Sequence, residues 1–290
     1  MSLHGLRSVT IGVPNVNETA AYYADFGLVP ETGGWFSTTD AGRQLRIVPA
    51  ATRRLVEMRV GVDDQDDLAR AAASLERLGV PAGRSGMSLE TAEPVTGTRV
   101  FLDVAARIQQ PPAAPESYNG PGRTVRADRR APGFSRPGPV RPRKLGHAVL
   151  GSTDYRRSMS FFTDGLGFKI SDRIAGVGAF MRCSTDHHNV LVLAAPVNFL
   201  HHTSWQVDDV DEVGRGGPTG PTAGHRPSSG PTGSSRVGSG TWWSARWTRR
   251  RRSDSSPRAW GSRSATGSRG WPRSCGARPI ITTCWCSRHR

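Results

Sequence analysis

Residues 218–290 of this 290-residue chain contain no glutamate, lysine, leucine, phenylalanine, methionine or tyrosine, and Asp254 is their only acid. With so little aliphatic surface a segment has little to bury and cannot easily offset the entropy of ordering its backbone. A packed terminal domain is therefore not expected there. Cysteine is scarce in the remainder: Cys183 is the only one before residue 218, which excludes a disulfide framework. No run approaches 18 apolar residues, and the start, MSLHGLRSVTIGV, lacks the apolar stretch of a secretion signal. A soluble, cytoplasmic protein with no membrane partner is expected.

Charge is distributed as unevenly as apolar surface. The chain carries a formal +15, and the 14 arginines after residue 217, set against Asp254, supply +13 of it. Residues 1–217 are nearly balanced, so the strongly basic character belongs to the tail. Six of the eight tryptophans lie in the tail too. Arg249–Arg252 beside Trp242, Trp243 and Trp247 could contact phosphates and stack on bases. Cys275, Cys284, Cys286 and His289 could take zinc, but their spacing is that of no standard site. A single shift of reading frame explains the composition more simply: a GC-rich coding sequence read out of frame yields Arg, Gly, Ser, Pro, Thr and Trp. The alternative is a genuine basic tail without packed structure.

Before the break the chain repeats itself. Leu6-Arg7-Ser8-Val9-Thr10-Ile11 leads, 16 residues after Leu6, to the aromatic pair Tyr22-Tyr23 and then Gly27. Leu145-Gly146-His147-Ala148-Val149-Leu150 leads at the same spacing to Phe161-Phe162 and then Gly165. Each phrase reads as a strand, a turn, and a helix with a glycine stop. Two further starts, at Leu55 and Leu200, run through a strand into Asp63-Asp64 and Asp208-Asp209, which can cap a following helix. After the first, Leu68, Ala72, Leu75 and Leu78 mark one helical face, with Gly79 ending it. Short β-rich runs at 44–48, 99–104, 179–183 and 189–193 fill the intervals. Four units of one strand, one helix and two or three strands thus begin near residues 6, 55, 145 and 200. The fold class is α+β, with βαβββ modules in two pairs and the last module missing or disordered. The division is 1–105, a Pro/Gly/Arg-rich linker at 106–143, an incomplete domain at 144–217, and the tail at 218–290.

Two histidines hold matching places in this repeat. His147 is third in its strand phrase, and His202 is third in Leu200-His201-His202-Thr203-Ser204-Trp205. Imidazoles placed alike on two repeated strands can converge on one metal. Strand alternation sends His201 to the opposite face, as a solvated or packing residue. His188, in Asp186-His187-His188, is a candidate for moving protons near neutral pH, whereas His187 is not.

The paired modules, with Leu145-Gly146-His147, the helix end Phe161–Phe168, Arg182–His188 and Leu200–Gly214, resemble the vicinal oxygen chelate (glyoxalase/bleomycin resistance/dioxygenase) superfamily. Within it the chain resembles the type I extradiol ring-cleaving dioxygenases, over about residues 5–216. That resemblance implies a metal-free N-terminal pair, with Ser8 and Glu57 where ligand histidines would stand. It also implies a C-terminal pair holding Fe(II) through His147 and His202, with His188 as an acid–base residue. Mn(II) fits the same ligands. The implied reaction is O₂-dependent cleavage of a catecholic aromatic, and the implied partners are a small aromatic diol, O₂ and further copies of the chain. Two histidines and one carboxylate leave three positions open on a non-haem iron. The family takes its carboxylate from a Glu late in the fourth module, after a Tyr-bearing strand and an Asp-Pro-x-Gly turn, and no such phrase occurs here. Asp254 sits in an arginine run without strand character. Low or no ring-cleaving activity is therefore expected, and a small-molecule-binding protein of the same fold is the rival reading. A glyoxalase-type reaction, which draws ligands from several modules, would need Glu57 on the metal.

The frame hypothesis is checked on the coding DNA. Reading beyond Gly216 in the other two frames should reveal an aromatic-rich strand, an Asp-Pro-x-Gly turn and a following Glu. If neither frame contains them, the basic tail is genuine.

Overall fold

The computed structural model describes residues 2–111, 119–120, 123–124, 140–208, 212–213 and 280–283. Among the described residues two mixed sheets and three α-helices carry the fold. In chain order the first sheet and its helices are β1 (Leu3–Val13), α1 (Val16–Asp25), β2 (Val29–Pro30), β3 (Trp35–Thr38), β4 (Gly42–Pro49), β5 (Arg54–Val62), α2 (Gln65–Arg77), β6 (Ala82–Ser85), β7 (Ser88–Ala92) and β8 (Arg99–Val104). A two-residue ladder joins β9 (Asn119–Gly120) to β10 (Arg123–Thr124). The second sheet comprises β11 (Lys144–Ser152), β12 (Lys169–Ile174), β13 (Gly178–Arg182), β14 (Val190–Ala194), β15 (Phe199–Gln206) and β16 (Ile280–Thr283), with α3 (Tyr155–Ser160) following β11. Among the described residues no helix is long and apolar enough to cross a membrane.

The strand orders display the repeat. The first sheet runs β2-β3-β4-β1-β5-β8-β7-β6 and the second β12-β13-β14-β11-β15-β16. In each of three complete modules the opening strand pairs parallel with the module's last strand: β1 with β4, β5 with β8, β11 with β14. Two modules then join through antiparallel opening strands, β1 with β5 and β11 with β15. These are the paired βαβββ modules expected from the sequence. All eight runs read as strands in the sequence fall on strands. The exposed β6, the short β2 and β3, and the strands β7 and β12 were not marked by such runs.

Helix entries follow local chemistry. The Asp64 carboxylate accepts the Asp67 N–H at 2.8 Å, capping α2, and Asp154 accepts the Arg157 N–H at 3.0 Å, capping α3. α2 buries Leu68, Ala71 and Leu75. Leu78, expected in that stripe, is 39% exposed, because the helix ends at Arg77 and Gly79 turns away with φ +65°. α3 passes into a wider π turn at Phe161–Gly165, which puts both Phe161 and Phe162 into the core.

One continuous apolar core runs beneath both sheets. Gln44, with no exposed surface, ties them together: its Nε2 donates to the carbonyls of Leu6 (3.3 Å) and Arg7 (3.2 Å), and its Oε1 accepts the Leu145 N–H at 2.6 Å. Arg143, at the end of the linker, pairs with Asp40 at 2.6 Å. Tyr23 reaches from α1 to Thr203 on β15, with 3.3 Å between their oxygens.

The expectation of no packed structure after residue 217 meets one exception. Ile280–Thr283 pairs antiparallel with β15. These four β-branched residues form the best strand former in the tail, and the β15 edge offers unpaired backbone groups. The match to the N-terminal sheet is only partial, because β5 receives β8 there in parallel. The rest of 218–290, with Asp254, the arginine–tryptophan run and the Cys/His set, lies outside the described residues, as does most of the linker.

Replacing Gln44 by Leu should remove three backbone partners at once. Each polar group left buried and unpaired costs about 1–3 kcal/mol, so unfolding by urea should show a loss at or above that range with the apolar volume retained.

Candidate metal centre

Two β-bulges shape the site. On β11, Leu145 pairs with Trp205 and His147 with Ser204, so Gly146 is extra. On β15, Val149 of β11 pairs with His202 and Leu150 with Leu200, so His201 is extra. A bulge twists the strand locally and re-aims its side chains. His147 and His202 each directly follow a bulged residue. They occupy diagonal positions on the antiparallel pair, a spacing that long side chains can bridge. Their Nε2 atoms come within 3.1 Å of each other.

The N-terminal sheet has the same bulges. Leu6 pairs with Val60 and Ser8 with Arg59, leaving Arg7 extra; Thr10 pairs with Glu57 and Ile11 with Leu55, leaving Val56 extra. Register alone therefore equates Ser8 with His147 and Glu57 with His202. Each bulge before the first of these positions frees a carbonyl, and a buried amide answers it. Gln44 Nε2 donates to Arg7 O, and Asn189 Nδ2 donates to Gly146 O at 3.2 Å. At the N-terminal positions the chemistry differs. Both Glu57 oxygens are taken, by Arg59 at 2.9 Å and Arg99 at 2.8 Å, while Arg59 also holds Asp103 at 3.0 Å. A glyoxalase-type use of Glu57 would have to break these ion pairs.

His188 enters from the turn between β13 and β14. Its ring centroid lies 4.1 Å from that of His147, with the planes 31° apart. Asn189 positions this turn. Its backbone carbonyl accepts the Ala148 N–H at 3.0 Å and its side chain holds Gly146, Cys183 and Asp186. The turn that carries His188 is thus fastened to the bulge that aims His147.

Three contributors escaped the sequence reading. Ser204 Oγ lies 2.8 Å from His147 Nε2, and its signal was alternation, two residues past His202 on the same face. His201 lies against its neighbour, with the two Nδ1 atoms 2.7 Å apart. Simple alternation, which sent His201 to the far face, fails because His201 is itself the bulged residue. His187, set aside in the sequence, places its Nδ1 3.1 Å from His188 Nδ1.

Burial keeps the site histidines neutral. It pushes the His147 pKa down to about 3, with help from His188 and His202, and that of His202 to about 4, with help from His201, His188 and Arg53. His188 and His201 are lowered in the same direction, mainly by burial. Neutral imidazoles carry the lone pairs a metal needs. Two nitrogens bound side by side to one ion at about 2.1 Å each lie about 3 Å apart when they subtend a right angle at it, which the His147–His202 spacing matches. The fit is incomplete in two respects. Among the described residues no group of three His, Cys, Asp or Glu side chains is arranged to hold a metal. His147 Nδ1 is buried without a hydrogen-bond partner, where a ligand histidine ordinarily donates to a carbonyl or carboxylate.

Parts of this chain are similar to known proteins. Residues 144–216 match the Glyoxalase/Bleomycin resistance protein/Dioxygenase superfamily. The chain is 38% identical over 79 residues to metapyrocatechase 2 of Cupriavidus necator, covering 27% of this chain and 25% of the relative. It is 30% identical over 197 residues to biphenyl-2,3-diol 1,2-dioxygenase of Paraburkholderia xenovorans strain LB400, covering 61% and 63%. This chain thus spans from a quarter to under two thirds of the length of these curated relatives. A crystal structure of a Mn(II)-bound glyoxalase from Novosphingobium aromaticivorans superposes with a TM-score of 0.56 at 24% identity, covering 74% of this chain and 69% of that one. At that identity the likeness establishes the shared vicinal oxygen chelate fold.

The lowered histidine pKa values give a signed pH dependence. Unfolded histidines titrate near 6.5, whereas His147 and His202 do so near 3 and 4 when folded. Between these values the unfolded chain binds more protons, so stability falls as pH drops from about 6.5 towards 4. Urea titrations of metal-free protein at stepped pH should show this loss, and His202→Gln should flatten it.

Proposed function

We propose that this chain derives from an extradiol ring-cleaving dioxygenase acting on a catecholic aromatic and O₂, with His147 and His202 as the metal-holding residues. The observation that carries this reading is the pair of Nε2 atoms 3.1 Å apart on bulged, paired strands of a segment that matches the superfamily. The names of the curated relatives, biphenyl-2,3-diol 1,2-dioxygenase among them, support the substrate class. Fe(II), or Mn(II) in its place, would supply a centre that holds the diol and dioxygen together and lowers the diol's pKa.

The chain's own residues have separable tasks. His147 and His202 present neutral nitrogens at one point. In the metal-free chain Ser204 Oγ lies 2.8 Å from His147 Nε2, a contact that a bound ion would replace. His188, neutral and half-buried beside His147, accepts a proton from the diol hydroxyl nearest it, and the imidazolium is disfavoured enough to release it again. The division into a metal-free N-terminal pair at 1–105, a linker at 106–143, a metal-bearing domain at 144–217 and an out-of-frame tail at 218–290 belongs to this proposal. So do a cytoplasmic location and assembly with identical chains.

One observation favours a second reading. Among the described residues no third ligand stands with His147 and His202, which makes a binding protein that sequesters a small aromatic the better description if turnover is absent. Oxygen uptake and catechol loss with anaerobically Fe(II)-loaded protein separate the two. The 290-residue chain should turn over little or not at all, and His147→Ala or His202→Ala should lower iron affinity at least tenfold. Catechol binding that is unchanged in both variants would favour the binding protein. Stoichiometric iron with sustained turnover would overturn the expectation of an impaired enzyme.

A further inference from the structure

We propose that the outer edge of β15 is a surface on which a second copy of this chain docks, strand against strand, and that Ile280–Thr283 is the strap that covers it. The proposal goes beyond the reading of His147 and His202 and does not depend on it.

The edge is that of an interior strand standing at the rim of its sheet. In the first sheet β5 lies between β1 and β8, with Glu57 to Val62 paired in parallel to Arg99 to Val104. In the second sheet β15 holds the matching place and pairs along its length with β11. On its other side only Thr203–Gln206 meets a strand, β16, and the pairing is antiparallel. Among the described residues no strand pairs with the outer edge of Phe199–His202.

The residues of β15 are those of an interior strand too. Strands at a rim are ordinarily blunted by charge or proline, which discourages pairing with another chain. β2 has Pro30, β6 has Arg84, and β12 has Lys169, Asp172 and Arg173. β15, Phe199-Leu200-His201-His202-Thr203-Ser204-Trp205-Gln206, contains no Lys, Arg, Asp, Glu or Pro. Nothing along it repels a further strand, and two such edges bring no like charges together.

A second copy is the partner this edge fits. Two identical strands pair antiparallel about a two-fold axis, so the contact is self-complementary and closed. That pairing draws on the whole of Phe199–Gln206 from each copy. β16 lies on Thr203–Gln206, half of the strand, and so denies it to a partner. The strap is loosely held: it pairs through four residues, and seating it closes a loop of residues 207–279.

The test uses the full 290-residue chain, free of metal and under reducing conditions, so that the tail cysteines form no cross-links. Ile281→Pro removes a backbone donor from the strap and leaves β15 unaltered. Among the described residues β16 pairs with β15 alone, so the rest of the fold stays in place, which urea midpoints check. Sedimentation velocity over a concentration series should show Ile281→Pro and Thr283→Pro self-associating at least tenfold more tightly than the unaltered chain. The control Ile281→Val should stay within twofold. A peptide of residues 277–283, in excess, should return Ile281→Pro to the unaltered value. Hydrogen exchange should locate the contact: in Ile281→Pro the amides of Phe199–Gln206 slow as protein concentration rises, and those of β6 and β12 do not. Unchanged association in both proline variants would overturn the proposal. Weaker association would overturn it as well, because the segment would then join copies rather than keep them apart. Tighter association with slowed exchange only outside β15 would show that the interface lies elsewhere.

Discussion

The antiparallel pairing of β11 with β15, broken by one extra residue on each strand, is the constraint on which the site depends. Regular pairing would keep His147 and His202 on fixed pleats. The bulges at Gly146 and His201 rotate the pleat just before each histidine and bring their Nε2 atoms together. A bulge breaks the ladder and leaves backbone groups to be satisfied elsewhere. Asn189 meets that need at Gly146, and Gln44 does the same at Arg7 in the N-terminal sheet. These buried amides also bind turn to strand and sheet to sheet, so local repair and long-range assembly are one set of interactions.

The two sheets share a backbone plan and differ in chemistry. At the bulged positions of the first, Ser8 and Glu57 stand within a surface of ion pairs, where Arg59 bridges Glu57 and Asp103. At those of the second, His147, His188, His201 and His202 gather beside the Ser204 hydroxyl, and the Asp186 carboxylate, itself paired with Lys144, acts on His188 from the same turn. Desolvation holds the imidazoles neutral, which makes them donors to a cation and costs stability under acid conditions. The first sheet has offset its polar groups internally, whereas the second leaves nitrogen atoms available.

Much of the architecture was legible in the chain. The 16-residue spacing from strand phrase to aromatic pair, the Asp caps and the β-rich runs placed eight of the strands, because each signal is local: a pleat period, a cap, a glycine stop. The equivalence of Ser8 with His147 and of Glu57 with His202 was legible for the same reason, since repeated phrases align. Leu78 was misplaced because a helical stripe reveals direction but not where the helix loses its cover. β2, β3 and β6 lacked signal because short or exposed strands bury little.

The sequence by itself determined the module repeat, the residues that hold its matching positions, and the absence of a glutamate after residue 217. Tertiary structure alone decided which nitrogens meet. His201 was assigned to the far face because alternation assumes an unbroken ladder, and the bulge that overrides it exists only once β11 and β15 pair in this register. Ser204, Asn189 and His187 became parts of the site for the same reason. Their roles rest on contacts between strands and turns distant in the chain, and a bulge or a cross-strand diagonal has no counterpart in the order of residues along one strand.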